Sequence, residues 1–159
     1  MFDRFGEFDS AEELNEAAAG QLEQGDTEAI YILAEENGIQ RADAEDYING
    51  DVPELASAIM AALGKLEVET KELKPNGIME DWVEYIKQCC TNSDTARAVR
   101  RKGKSLKGCI AELLKWSFGN QRAIDKDILK ACGINQHVTL GIPGMGTAKK
   151  IITEYYLGK

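Results

Sequence analysis

Apolar residues recur along the first third of the chain at spacings of three and four, which is the period of amphipathic helices. Ser10 opens a capping-box pattern, and the apolar spacing behind it predicts a helix over about residues 11–24. Asp26 is placed to cap a second helix, which should end in a left-handed turn at Asn37-Gly38. The pattern then predicts a short acidic helix over about residues 42–48.

The next apolar stretch predicts a longer helix that opens at Asp51 and Pro53. Its inward positions keep a helical core spacing: Val52, Leu55, Ala56, Ile59, Met60 and Leu63. Gly64 is expected to mark a joint, because the residues behind it alternate charged and apolar types without a clear preference before a Pro-Asn-Gly turn signal. We therefore place a connecting segment at residues 65–77.

The back half of the chain predicts more helices and one short strand. In chain order we expect a helix over about residues 78–90, a basic helix capped by Asn92, a helix from Ser105 to Gly119-Asn120, a short helix at 125–132, a strand at 137–142 and a last helix at about 147–157. The fold class is therefore mainly α, a compact helical protein of two small lobes with one short β segment near the C-terminus. The lobes are an acidic helical lobe at residues 1–64 and a basic helical lobe at 78–159 that ends in a strand-turn-helix.

Composition and charge fit this organisation. The chain has 159 residues, with 43% hydrophobic and 29% charged side chains, which is globular and argues against wholesale disorder. The net charge of -8 is unevenly spread, since residues 1–64 hold 16 Asp and Glu against 2 Arg, whereas residues 97–130 hold 10 Lys and Arg against 3 acids. The acidic end should repel phosphate backbones and attract basic protein surfaces, and the basic segment should do the opposite.

The sequence offers no targeting segment, metal site or cofactor motif. No apolar run reaches the roughly 18 to 20 residues that span a bilayer, and the first residues lack the features of a signal peptide, so we expect a soluble, cytoplasmic protein. Cys89, Cys90, Cys109 and Cys132 form no C-x-x-C pair, and we interpret them as reduced thiols that lie mostly in the core. His137 has no neighbouring ligand to complete a zinc site.

The stretch from Tyr31 to Tyr47 has the spacing of a helix-turn-helix. Its second helix would present acids to a DNA groove, which is unfavourable against a duplex carrying one negative charge per about 1.7 Å. Two interpretations stay open: a helical hairpin that belongs to the core, or an acidic face that docks on a basic protein groove. The candidate partner-binding residues of that face are Asp43, Glu45, Asp46, Glu35 and Glu36.

One dense basic cluster follows in the back half, and such clusters can track phosphates. It consists of Arg97, Arg100, Arg101, Lys102, Lys104 and Lys107. A solvated helix face, or an intramolecular counterweight to the acidic lobe, explains the cluster equally well. The six residues are therefore the alternative site, for nucleic acid.

The glycine-rich stretch at residues 141–146 precedes a helix and could in principle hold an anion. It lacks the Gly-Lys-Ser/Thr ending of a P-loop and the full dinucleotide fingerprint, so we interpret it as a strand-to-helix turn. No serine or cysteine stands in a motif that supplies a base, and we expect no enzymatic activity.

Part of the back half resembles a known family. The similar segments read RRKGKSLKGCI at 100–110, VTLGIPGMG at 138–146 and IITEYY at 151–156, with KSLKGC at 104–109 the closest match. Together, within about residues 97–157, they resemble the PcfK-like proteins of conjugative elements and phages. Some relatives of that family are anti-CRISPR proteins, so the resemblance implies an inhibitor of a type II RNA-guided nuclease, acting on the nuclease or its guide-RNA complex in a bacterial host cell. The alternative is a nucleic-acid-binding accessory protein of a conjugative element or phage.

Overall fold

The computed structural model describes residues 2–159, and 64% of the chain is helical. The expected fold class, mainly α with a short β segment near the C-terminus, is confirmed. Within the described residues the elements run in this order: α1 Ala11–Glu23, α2 Thr27–Glu36, α3 Arg41–Asn49, α4 Ala58–Leu73, α5 Ile78–Cys89, α6 Ser93–Arg100, α7 Leu106–Gly119, β1 Arg122–Ala123, α8 Lys126–Ala131, β2 Thr139–Leu140 and α9 Met145–Leu157.

Side-chain caps set the helix starts where the sequence predicted them. The Ser10 hydroxyl accepts the backbone N–H of Glu13, and the Asp26 carboxylate accepts that of Ala29. Asn92 and Ser105 cap α6 and α7 in the same way. Each cap satisfies backbone donors that the first helical turn leaves open, so these helices begin close to their predicted residues.

The predicted start of the fourth helix is wrong. Residues 51–57 are not helical and bend at 51–55, and α4 begins after Ser57, whose hydroxyl accepts the N–H of Met60. The helix passes through Gly64 without a joint and ends only at Leu73, so most of the expected connecting segment is helical. The buried face is also turned from the predicted one, because Ile59 and Leu63 are 37% exposed. Apart from Leu66, small and charged residues occupy the buried face: Ala61, Ala62, Gly64, Lys65 and Glu69.

Gly64 lies at a close contact between two backbone segments. The turn between α2 and α3 crosses α4 at this point, and a Cβ on Gly64 would overlap the backbone oxygen of Asn37. Gly38 in the turn has a positive φ of 67°, and a Cβ there would overlap the backbone of Gly64. Two glycines therefore allow the turn and the helix to meet backbone to backbone.

The buried apolar residues form two clusters that both include α4. The front cluster consists of buried residues from Ala11 to Ala61 along the chain, and it includes the inner faces of α1, α2 and α3. The back cluster consists of buried residues from Ala62 to Tyr156, contributed by α5, α6, α7 and α9 as well as α4, and it includes Trp82. The division of the chain into lobes at residues 1–64 and 78–159 stays a prediction, but the two clusters meet within a single helix.

A thin extension, here called the arm, consists of residues 120–142 between α7 and α9. The predicted strand at 137–142 forms only at Thr139–Leu140, which pairs antiparallel with Arg122–Ala123. The pairing joins two residues of each strand, Arg122 with Leu140 and Ala123 with Thr139. The predicted turn at 141–146 is shorter than expected, because α9 already begins at Met145, after its N-cap Gly144.

Candidate functional site

The five predicted acidic residues do not share one face. The Glu36 carboxylate accepts the backbone N–H groups of Arg4 and Phe5, at 2.6 and 3.2 Å, so it holds the N-terminal segment against α2. Glu45 lies 3.5 Å from Arg41 in an exposed ion pair along α3. Glu36 and Glu45 therefore already have partners within the chain.

Glu35 belongs to a different surface. It lines a wide, open groove of about 720 Å³ between α2, the α2–α3 turn and α4. Arg41 lies in the same groove, with its guanidinium carbon 4.0 Å from the centroid of the Tyr31 ring. This groove holds both signs of charge, since Lys71 also lines it, and it is not a purely acidic face.

Asp43 and Asp46 are the two predicted acids that lie together. They stand three residues apart on α3 and face the bend at residues 51–57. With Glu54 they edge a groove of about 260 Å³ that we call the acidic groove. Its remaining lining is Val52, Pro53, Leu55, Ser57 and Met60. Within residues 2–159, no Lys, Arg or His nitrogen lies within 4 Å of these three carboxylates.

Sequence reasoning missed Glu54 and the apolar part of the acidic groove. It placed Val52 and Leu55 on the inner face of a helix, whereas the bend leaves Val52 38% exposed. The available signal was Ser57, a good N-cap residue, which competes with Asp51 as the start of the helix. A start at Ser57 releases the preceding residues to form the wall of a groove.

The basic cluster is divided by the fold. Arg100, at its centre, is only 1% exposed, and its Nη2 donates a hydrogen bond of 2.7 Å to Oδ1 of the buried Asn37. Burial lowers the pKa of the Arg100 guanidinium, while the nearby Glu7 and Glu69 oppose that effect. Nε and Nη1 of Arg100 make no hydrogen bond with any residue that the structure describes. Arg100 is therefore not available at the surface for nucleic acid.

The other members of the basic cluster differ in exposure. Lys104 is half-buried, and its Nζ donates to the backbone oxygen of Tyr155 at 2.6 Å. The exposed members are Arg97, Arg101, Lys102 and Lys107. Lys107 lines an apolar groove beside Leu73 and Leu114.

A second buried cation completes what we call the polar junction, made of Asn37, Lys65, Glu69 and Arg100. Lys65 is 1% exposed, and its Nζ donates to the backbone oxygens of Arg101 and Lys104 at 2.8 and 2.6 Å. The same Nζ lies 2.8 Å from the carboxylate of Glu7. The junction therefore links the N-terminal segment, α4 and the turn after α6.

Glu69 occupies the other end of the polar junction. Its Oε2 accepts the backbone N–H of Leu106 at 3.1 Å, which satisfies a donor in the first turn of α7. Burial raises the pKa of this carboxyl, and the effect outweighs the lowering by Lys65 and by the Leu106 N–H. Sequence reasoning assigned no role to Lys65 or Glu69.

The cysteines are free, and two of them lie in the back cluster. Burial raises the pKa of the Cys90 and Cys109 thiols to about 12, so both stay protonated at neutral pH. Cys89 is half-buried and Cys132 is exposed.

Across residues 2–159 no three His, Cys, Asp or Glu side chains are arranged to hold a metal ion. Within the same residues no helix has the length and apolar character needed to cross a membrane.

Two of the segments that carry the PcfK-like resemblance, 100–110 and 151–156, contact each other. The backbone N–H of Ser105 donates to the Tyr155 hydroxyl at 2.9 Å, and that hydroxyl leaves no room for a Cβ on Gly108. Gly141 packs in the same way on the backbone of Ser117. Compared with known proteins, the chain matches no family model, no curated protein and no solved structure.

Proposed function

We propose that this protein is a non-catalytic inhibitor that binds a basic surface of a type II RNA-guided nuclease through the acidic groove. The observation that carries the proposal is the groove itself, where three carboxylates without a cationic partner edge an apolar wall. Such an arrangement is incomplete within the chain and is complementary to Lys or Arg side chains of another protein.

The chemistry of the acidic groove matches long cationic side chains. Lys and Arg have apolar stems and charged ends, so their stems can lie on Val52, Pro53 and Met60. Their charged ends would then reach Asp43 or Asp46 in charge-assisted hydrogen bonds. The strongly negative front of the chain would also speed association with a positive surface.

The groove supports a basic partner, and the resemblance supports the choice among basic partners. RNA-guided nucleases hold nucleic acid in positively charged channels and read the motif beside their target with arginines. An acidic protein bound there would compete with target DNA. The PcfK-like resemblance of residues 97–157 favours this class over other basic proteins.

Cleavage of target DNA by a type II nuclease tests the proposal. We expect the unmodified protein to inhibit cleavage and the variant Asp43→Lys/Asp46→Lys to lose at least about tenfold in potency, because repulsion across the contact replaces attraction. Glu16→Lys/Glu23→Lys changes the net charge equally on exposed positions of α1 and should keep full potency. Equal inhibition by both variants would exclude the groove, and full nuclease activity with the unmodified protein would exclude the nuclease as the target.

A further inference from the structure

The most exposed large apolar side chains of the described residues are concentrated in one stretch of the chain, residues 114–145. Phe118 is 81% exposed, and Ile128, Leu140 and Ile142 each expose more than half of their surface. With Leu114, Ile134 and Met145, seven large apolar residues between positions 114 and 145 are exposed. The other large exposed apolar residues of the described chain are spread over α1, α4 and the bend before α4, and none of them exceeds 39% exposure.

The arm has almost no core of its own. Helix α8 buries none of its residues, and both residues of each strand are exposed. A two-stranded ribbon is marginal without further packing. The contact of Gly141 with the end of α7 fixes one side of the extended segment, which leaves Leu140 and Ile142 together on the opposite side.

We propose that a second copy of this chain covers this surface, with the arms of two copies packed around a two-fold axis. The seven side chains together expose on the order of 600 Å² of apolar surface. A standard interface buries roughly 800 Å² on each partner, to which the polar rim also contributes. A two-fold contact that covers most of these side chains, together with a polar rim, would reach this size.

The charges around the arm favour a second copy over a strongly charged partner. The arm contains Arg122, Lys126 and Lys130 together with Asp125 and Asp127, so both signs lie close together on it. In a two-fold contact the same surface faces itself, and mixed signs can then pair across the axis. A uniformly basic partner would instead be repelled by the three cations of the arm. This interface lies far from the acidic groove in sequence and does not depend on the proposed function.

Sedimentation equilibrium of the full chain tests the proposal. At about 100 µM, where a Kd of about 1 µM leaves most chains paired, we expect twice the 17.5 kDa mass of one chain. Phe118→Asp/Leu140→Asp should halve the mass without loss of helix in circular dichroism, because both side chains are exposed. Leu22→Asp/Leu63→Asp is the matched control at exposed apolar positions elsewhere and should remain dimeric.

A label on the exposed Cys132 shows whether the arm itself forms the contact. With Cys89 replaced by Ala, spin labels at Cys132 should give one defined distance between copies, which disappears in Phe118→Asp/Leu140→Asp. A monomer at the stated concentration would overturn the proposal. So would a dimer that survives the double substitution, or open polymers in place of a closed pair.

Discussion

The polar junction and the acidic groove both gather charged side chains, and the chain uses them in opposite ways. In the junction, Lys65 and Arg100 are buried and donate hydrogen bonds to groups of the same chain. In the groove, the half-buried Asp43 and the exposed Asp46 face solvent without a cationic partner among the described residues. The count of charges along the sequence does not distinguish these uses, because it treats inward and outward side chains alike.

The difference assigns separate roles to the two regions. A buried charge that loses its partner is costly, so changes in the junction should appear in the stability of the fold. An exposed charge contributes little to stability, so changes in the groove should appear only in binding. Substitutions in the two regions should therefore give opposite patterns in unfolding and binding measurements.

The largest effect is expected at Arg100. Arg100→Ala leaves the buried Asn37 amide without this donor and also leaves a cavity where the buried Arg100 stem packed. Together these losses should lower the free energy of unfolding by about 3 to 5 kcal/mol. The measurement is urea unfolding followed by circular dichroism. Arg97→Ala, on the same helix but exposed, is the control and should change stability by less than about 0.5 kcal/mol. Equal midpoints for both variants would contradict the structural role of the junction.

A smaller loss is expected where α4 meets the α2–α3 turn beside the junction. Gly64→Ala forces a Cβ against the backbone of Asn37 and should cost about 1 to 3 kcal/mol through overpacking. Gly20→Ala is a matched substitution within α1, where a Cβ meets nothing within 4 Å. It should stabilise the protein by about 0.5 to 1 kcal/mol, because alanine is the better helix former. Thermal unfolding of the two variants should therefore shift in opposite directions.

A pH-dependent effect is expected from Glu69. Its pKa in the folded protein is raised above its ordinary 4.5, so its contribution to stability is fully present below pH 4.5 and is lost as the pH rises through the folded pKa. Glu69→Gln keeps an acceptor for the Leu106 N–H but removes the titration. The unmodified protein should therefore lose stability relative to the variant between pH 4.5 and neutral pH. If the unmodified protein instead gained stability relative to Glu69→Gln as the pH rises, the Lys65 charge would outweigh the effect of burial on the Glu69 pKa.

Local signals in the sequence predicted most helices but not the junction. Caps such as Ser10, Asp26 and Ser105 act on the next few residues, so the helix starts could be predicted without knowledge of the fold. The buried face of α4 could not, because large apolar residues dominate the periodicity, whereas tertiary contacts bury Lys65 and Glu69.

The candidate site shows the same limit. Arg100 follows Ala96 and Val99 at helical spacing, which places it on the inner face of α6. Its charge, however, led to the prediction that it lies at the surface. Asp43 and Asp46 could be predicted as neighbours on α3. Glu54 joins them only because the chain bends before Ser57.

The most direct test of whether the acidic groove or the basic cluster binds the partner is a comparison of three forms of the protein. Their binding to the type II nuclease is measured side by side at two salt concentrations. The forms are the unmodified chain, Asp43→Lys/Asp46→Lys, and Arg97→Ala/Arg101→Ala/Lys102→Ala, which leaves the buried Arg100 in place. We predict that the groove variant loses at least about tenfold in affinity, or about 1.4 kcal/mol, and much of its salt dependence, while the cluster variant binds as the unmodified chain does. Loss of affinity in the cluster variant with full binding by the groove variant would contradict the account.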